Sequence, residues 1–400
     1  MIDADCIVVG GGAVGMLAAL LSAHEGLSVL LLEQSAVRQA QSRAIGITPP
    51  SLEIFRSIAL DGQLIEQGVV VQVSKVFGSG MQLGRIDFSG LESDFRFVLS
   101  IPQDRTEALL EKAVLESSSI SFLRGHHVME YSEGEGQVTV SGTHADSVTF
   151  RFSGHYLLAC DGGKSTIRQA LGVPFDGTPE RYTFLMGDYE DTTDWGTEAR
   201  FFASERGSVE SFPLPGGKRR YVIRTPYFIR ENTSDYLGAE LLKRTGVSVA
   251  EMDQFWESAF GVQSYMARSF CKGRVFLCGD SAHLMSPVGG QNMNSGFADA
   301  EMAVWLTKLL IENKAPYRLC ASLYNKTRKR AVRAAYRRAR TLMLLGTSGG
   351  YVWSIIRNFA AFILLKTPLR QILVQTFSMQ SIPFRNLDNF RKRFEKELKL

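Results

Sequence analysis

The sequence predicts a mixed α/β fold: a nucleotide-binding domain that is discontinuous in the chain, an inserted β-sheet domain, and a helical, basic C-terminal tail. Three observations predict it. A strand, glycine turn, helix, strand unit opens the chain; strand-like pattern dominates from Tyr182 to Tyr227; and a buried strand, Arg274 to Cys278, restores the first pattern before helical sequence takes over after about residue 297. The expected boundaries are 1–175 and 265–320 for the nucleotide-binding part, 176–264 for the β-sheet insertion, and 321–400 for the tail. With 400 residues and 45% hydrophobic content, the chain has material for more than one core.

The opening unit is the most specific. Cys6-Ile7-Val8-Val9 is a short apolar run, Gly10-Gly11-Gly12-Ala13-Val14-Gly15 a G-x-G-x-x-G turn, and Met16 to Leu21 a run of good helix formers. Leu27 to Leu32 is the second strand, and Glu33 ends it. In a Rossmann-like βαβ unit the first glycine permits the bend, the second lets a pyrophosphate approach the backbone, and the third lets helix and strand pack closely. An acidic residue at the Glu33 offset accepts hydrogen bonds from ribose hydroxyls. These features define a dinucleotide site without choosing the dinucleotide.

Further along, Ser51 to Ile58 and Arg105 to Leu115 carry helical pattern, Ser119 to Val128 reads as a strand, and Val138 to Val140 with Val148 to Phe152 as a hairpin feeding a buried strand, His155 to Cys160. In the insertion, Thr183 to Tyr189, Ala199 to Ala203, Val209 to Pro213 and Arg220 to Thr225 are strands separated by turn residues. Helical pattern is then expected at Leu237 to Arg244 and at Val249 to Glu257.

Two later segments narrow the cofactor. One is Ala159-Cys160-Asp161-Gly162-Gly163-Lys164-Ser165-Thr166-Ile167-Arg168; the other runs from Gly273 through Gly279-Asp280-Ser281-Ala282-His283 to Pro287, Gly289, Gly290, Gln291 and Asn294. With the glycine turn, they resemble the flavoprotein aromatic hydroxylases of the para-hydroxybenzoate hydroxylase type, over about residues 5 to 310. The resemblance looks nearest to phenol and polyketide hydroxylases.

It implies FAD as cofactor, NADH or NADPH as co-substrate, and O2 as the oxygen source. The implied reaction is hydroxylation of a phenol, polyketide, quinone or quinolone-like ring through a flavin hydroperoxide. Residue by residue, it implies Gly10, Gly12, Ala13, Val14 and Gly15 around the FAD pyrophosphate, and Glu33 and Gln34 at the adenosine. It likewise implies cofactor contacts from Gln103, Val128, Asp161 and Gly162, with Asp280 on the ribityl chain. Arg43 and Pro287 are expected near the isoalloxazine ring, as are Gly290, Gln291, Asn292, Met293 and Asn294. The catalytic group is the flavin itself, and no protein residue is assigned as acid or base. Asn292 departs from the glycine the family usually has there, which bears on how the backbone meets the ring.

Phe212-Pro213-Leu214-Pro215-Gly216-Gly217 resembles the family's turn over the active site. One complete G-x-G-x-x-G unit is present, which fits a flavin that swings to meet the nicotinamide. A flavin-dependent reductase of prenyl or other lipophilic substrates and a non-catalytic lipid or protein carrier on the same fold stay open beside the hydroxylase.

Composition sets the remaining expectations. Five widely spaced cysteines in apolar runs read as free buried thiols of a reducing compartment. The six histidines lack metal spacing, and no nucleic-acid module is present. No basic leader is visible, so the cytoplasm is expected, with a monomer or homodimer as the assembly. The net charge is +4, but from Tyr324 to Leu400 there are about 17 Lys or Arg against about 3 acidic residues. Leu342 to Leu365 is apolar but broken by glycines, which predicts two amphipathic packing helices, with peripheral membrane contact as the alternative.

Overall fold

In the computed structural model the described residues are 2–38, 44–286, 289–347, 350–382, 391 and 394; Arg43 and Pro287 lie outside them. The chain opens with β1 (Ala4–Val9), α1 (Ala13–His24) and β2 (Val29–Glu33), the predicted βαβ unit. Two short strands, β3 (Gly46–Ile47) and β4 (Val69–Val71), flank α2 (Pro49–Ser57) and α3 (Asp61–Gln67). A hairpin follows, β5 (Val73–Gly78) and β6 (Met81–Asp87), then β7 (Val98–Ser100) and α4 (Gln103–Glu116). Next come β8 (Ile120–Arg124), the hairpin β9 (His126–Gly134) and β10 (Gln137–His144), β11 (Thr149–Ala159) and α5 (Thr166–Ala170).

The insertion supplies β12 (Phe175–Glu190), β13 (Ala199–Ser204), β14 (Gly207–Leu214), β15 (Lys218–Thr225), α6 (Thr233–Thr245) and β16 (Gln254–Ala267). After β17 (Cys271–Lys272), β18 (Val275–Leu277) and β19 (His283–Leu284), the helices α7 (Gln291–Ile311), α8 (Tyr317–Thr347), α9 (Tyr351–Lys366) and α10 (Arg370–Phe377) complete the described fold.

The first sheet has the order β17-β18-β11-β1-β2-β8, parallel from β18 to β8, with the β9–β10 hairpin attached to β11. Its strands are nearly continuous apolar runs because α1 and α7 cover it, and Ile7, Leu31, Leu158 and Phe276 are fully buried. The β18 strand from the far side of the insertion pairs with β11, so the first domain does resume.

The second sheet has the order β19-β16-β12-β15-β14-β13-β5-β6. One face, with Leu185, Tyr189, Val209, Tyr221 and Ile223, packs on Leu237 and Leu241 of α6. The other carries Phe184, Met186, Phe260 and Val262 and meets Met343 of α8.

Two expectations are corrected. Val249 to Glu257 is not helical: β16 begins at Gln254 and pairs antiparallel with β12, placing Phe260 opposite Phe184. The alternation Trp256, Ser258, Phe260, Val262 is a period of two, and pairing along β12 outweighs the local helix preference. The β5–β6 hairpin, expected inside the nucleotide-binding segment, instead joins the second sheet through parallel pairing of β5 with β13. That partner lies more than a hundred residues downstream, so no local pattern announces it. The tail forms helices as expected, but α9 turns its apolar side outward.

Candidate functional site

The glycine turn joins β1 to α1 against the end of β11. Gly10 adopts φ +106, and a Cβ there would lie 2.3 Å from the Cys160 carbonyl oxygen; one at Gly15 would lie 1.8 Å from the Gly10 carbonyl oxygen. A Cβ at Gly12 would meet nothing, so this side of the turn is open to a ligand. Gly15→Ala should therefore cost about 2–3 kcal/mol of unfolding free energy, read by urea denaturation, because the intruding atom meets backbone that cannot step aside.

α1 starts after Gly12 with no cap from its own N-cap side chain and no acidic residue in its first turn; the Ala13 amide is met by the Glu107 carboxyl, and the positive end of the helix still faces the open side of the turn. Val14 also packs beneath Gly279 and Gly296, where any side chain would crowd it, and so draws the start of α1 against α7. Glu33 ends β2 beside the turn and accepts from the Gly11 amide at 2.6 Å and the Ser35 amide at 2.8 Å. Gln34 is exposed next to it, whereas Val128 is buried in β9.

Four loops bring the other predicted residues to the same end of the sheet. Gln103 starts α4; its amide NH2 donates to Glu107 at 2.8 Å and its carbonyl accepts from the Ala44 amide at 3.4 Å. Burial raises the Glu107 carboxyl, opposed by hydrogen bonds from Gln103 and the Ala13 amide, so Glu107 stands at the start of α1. No motif marks Glu107, and sequence reasoning missed it.

Asp161 follows β11, and burial raises its carboxyl. One oxygen accepts from the Ile167 amide at 3.1 Å; the other is buried without a partner among the described residues. Gly162 beside it is at φ +79, with open space where a Cβ would sit.

Asp280 lies in a 3-10 turn, Gly279–Ser281, that follows β18. It is reachable by solvent, yet burial pushes its carboxyl above the usual range. Both hold for a group lining an open, concave cleft. Asn292 donates to it at 2.8 Å, and the Asn292 carbonyl sits 3.1 Å from His283 Nδ1. His283 Nε2 is 2.7 Å from Asp299, which also accepts from Arg328 Nε at 2.6 Å and from the Gly279 amide at 3.0 Å. Asp299 is fully buried; burial alone would raise it, but Arg328 and His283 hold it below its usual range. The departure at Asn292 thus has a structural role, coupling the cleft carboxylate to a buried charge cluster.

Gly290 (φ +65) caps α7, whose first turn holds no acidic residue and no side-chain cap. Asn294 accepts from the Thr48 amide at 3.0 Å and donates to the Gly46 and Gly290 carbonyls, clamping the strand that follows Arg43 onto the start of α7. Met293 is partly buried against the main core. Gln291 is fully buried, and neither its carbonyl nor its amide nitrogen has a partner among the described residues.

The second sheet presents its face opposite α6 to α8 and α10, with Met343 and Phe377 packed against it. Ser100 donates to the Pro213 carbonyl at 2.6 Å, fixing the end of β14 to β7. On that face Glu210 stands between Phe201 and Val222, and Phe212 opposite Arg220. Arg220 grips Asp188 with two bonds of 2.5 and 2.7 Å and lies 4.6 Å from the Trp256 ring centre. Ser286, next to Pro287, lies 3.6 Å from the Met343 sulfur of α8, which packs on this same face. Burial alone pushes the Glu210 carboxyl up to about 7. Sequence reasoning missed Glu210, because an acid alternating with apolar residues on a strand reads as solvent-facing.

These groups fit a dinucleotide with a flavin end: open glycines, the N-termini of α1 and α7 with no acidic residue in either first turn, and unspent hydrogen-bonding groups on Asp161 and Gln291. They define a dinucleotide-binding protein of the flavoprotein type. Residues 3–339 match the family model described as FAD binding domain, and the chain belongs to that family. It is 33% identical over 321 residues to rifampicin monooxygenase of Streptomyces venezuelae, covering 78% of this chain and 65% of that protein. Like the uncharacterized aromatic compound monooxygenase YhjG of Bacillus subtilis (27% over 331 residues, 82% of this chain, 66% of that one), this relative is longer; the chain spans just under two thirds of their length.

Among solved structures, p-nitrophenol 4-monooxygenase of Pseudomonas putida superposes with a TM-score of 0.86 over 94% of this chain and 97% of that one, at 20% identity, which speaks to fold alone. Anhydrotetracycline hydroxylase of Streptomyces rimosus gives 0.78 at 26% identity, covering 95% and 76%. The resemblance read from the motifs is therefore to the family in which the chain is found.

Proposed function

We propose that this protein is an FAD-dependent monooxygenase that consumes NADH or NADPH and hydroxylates a small aromatic substrate. The observation that carries the proposal is that the α1 and α7 N-termini, Asp161, Asp280 and Gln291 all lie where strands of the first sheet end, with unspent hydrogen-bonding groups on Asp161 and Gln291.

FAD would be held by Gly10, Gly12, Ala13, Val14 and Gly15 at the pyrophosphate and by Glu33 and Gln34 at the adenosine. Gln103, Val128, Asp161, Gly162 and Asp280 would line its course, and Arg43, Pro287 and Gly290 to Asn294 would meet its ring. Bound FAD, reduced by the nicotinamide, supplies the activation of O2 for insertion into the substrate ring.

The chain's own residues do the rest. Amides at the start of α7 favour negative charge on the ring edge nearest them. Phe212 would give an aromatic ring a surface to pack on, held edge to face at 5.7 Å by Phe201, which is itself packed on Phe377 of α10. Glu210, with its proton affinity near neutrality, takes the proton of a substrate phenol and so makes the ring more electron-rich.

Glu210→Gln separates this role from packing by two readouts. Ring-dependent turnover should fall about 100-fold, and the limb of the pH profile near 7 should disappear. The folded carboxyl releases its proton later than the unfolded one, so stability declines as pH rises from about 4.5 to about 7. The variant should be about 1–3 kcal/mol more stable than the parent at pH 8 and equal to it at pH 4. Unchanged turnover with the stability gain intact would leave Glu210 a merely buried acid.

The experiment for the function as a whole is reconstitution with FAD, followed by NADH and NADPH oxidation and oxygen uptake with phenols, quinolones and polyketide rings. Ring-stimulated oxygen uptake supports the hydroxylase. Flavin reduction without oxygen use indicates the reductase, and failure to bind FAD the carrier.

A further inference from the structure

α9 is amphipathic in the inverse sense. From Val352 to Ile363 every exposed residue is apolar: Val352, Trp353, Ile355, Ile356, Phe359, Ala360, Phe362 and Ile363. Its polar residues point into the protein: Ser354 and Arg357 are buried, Arg357 donating to the Ser204 carbonyl at 3.3 Å, and Asn358 donates to Ser79 at 3.0 Å. The inward side is a firm seat. Leu365 and Val374 pack with Leu83 and Ile86 of β6 and with Phe88 just after it, and a Cβ at Gly84 would lie 2.5 Å from that of Leu365.

A helix on a water-exposed surface carries the opposite arrangement, and a contiguous apolar patch of this size marks an interaction face. Basic residues border the patch: Lys366 ends α9, its amine 5.8 Å from the Phe362 ring centre, and exposed Arg370 begins α10, with exposed Leu369 just before it and exposed Ile372 within it.

We propose that α9 and α10 dock the protein on the surface of an anionic lipid bilayer. Apolar rings enter the interface, and Lys366 and Arg370 meet the headgroup charge. A span is excluded by the packing, since one side of α9 is committed to the second sheet. Among the described residues no single helix is long and apolar enough to cross a membrane, and α9 and α10 meet at 91°. A second copy is the rival occupant. The bilayer is favoured because the exposed residues from Val352 to Ile363 are all apolar or aromatic, with the Trp353 indole, a side chain suited to the headgroup boundary, among them, while cations stand at the border. The docking does not depend on the flavin chemistry, so either reading can fail alone.

The test is flotation of the full chain with phosphatidylcholine vesicles carrying or lacking 30 mol% phosphatidylglycerol. The expected result is binding to the anionic vesicles, at least tenfold weaker in Ile355→Ser/Phe359→Ser, and reduced on anionic vesicles alone in Lys366→Glu/Arg370→Glu. Circular dichroism and the FAD content of the variants should match the parent, because all four side chains are exposed. Absence of the parent from floated anionic vesicles overturns the proposal. So does sedimentation showing a dimer that Ile355→Ser/Phe359→Ser converts to monomer while vesicle binding is unchanged.

Discussion

Replacing Asp280 by alanine is expected to raise the dissociation constant for FAD about 10- to 100-fold, the equivalent of one hydrogen bond to a charged group, about 1.5–3 kcal/mol. Asp280 is the acceptor at the mouth of the cleft, and its carboxyl is raised because protein surrounds it. Among the described residues one hydrogen bond, from Asn292, reaches its Oδ1. A ribityl hydroxyl bonded there would be left to compete with water in the variant. Titration of the apoprotein with FAD, followed by quenching of flavin fluorescence, measures the change. Asp280→Asn should lose less, because its carbonyl still accepts. Stoichiometric FAD at parental affinity in Asp280→Ala would remove the residue from the cofactor site.

Arg328→Met should cost about 3–5 kcal/mol of stability at neutral pH, the largest effect expected of any single side chain here. Arg328 and Asp299 are both buried, and their 2.6 Å bond lies where water cannot replace a lost partner. In the parent, Asp299 is held below its ordinary value, so its contribution is present above about pH 4 and lost as pH falls through the folded value. Without Arg328, burial pushes the carboxyl the other way, and charging it becomes a penalty that grows as pH rises. The difference between variant and parent should accordingly be greatest near pH 7 and shrink in acid. Urea denaturation across pH 4 to 8 tests this, and a deficit that is constant with pH would mean lost packing rather than an unpaired charge. Because Asp299 also holds the Gly279 amide and His283, the variant should retain FAD less well even where it remains folded.

The parts legible in the sequence share one property: their meaning is carried by backbone conformation or by short-range order. Gly10, Gly12 and Gly15 could be assigned because a tight turn, an open approach and a close packing contact each exclude a side chain, whatever surrounds them. The apolar runs of β1, β2, β11 and β18 could be read because a parallel strand covered on both faces has little polar residue left in it. Asp161 and Asp280 followed from flanking motifs that resemble a known family. By contrast, Val249 to Glu257 misled because short apolar spacing is compatible with helix or strand until a pairing partner is known.

Thus the sequence by itself determined that a dinucleotide-binding sheet would form, that the chain would leave it and return, and which glycines and carboxylates would gather at its end. Tertiary structure alone decided that the β5–β6 hairpin belongs to the second sheet, that Asn292 joins Asp280 to the buried His283, Asp299 and Arg328, and that Glu210 is withdrawn from solvent on the sheet face opposite α6. It also decided which side of α9 turns outward. The physical reason is common to all of these. Each depends on a partner far away in the chain, and local pattern records what a residue can do but not what will be packed against it.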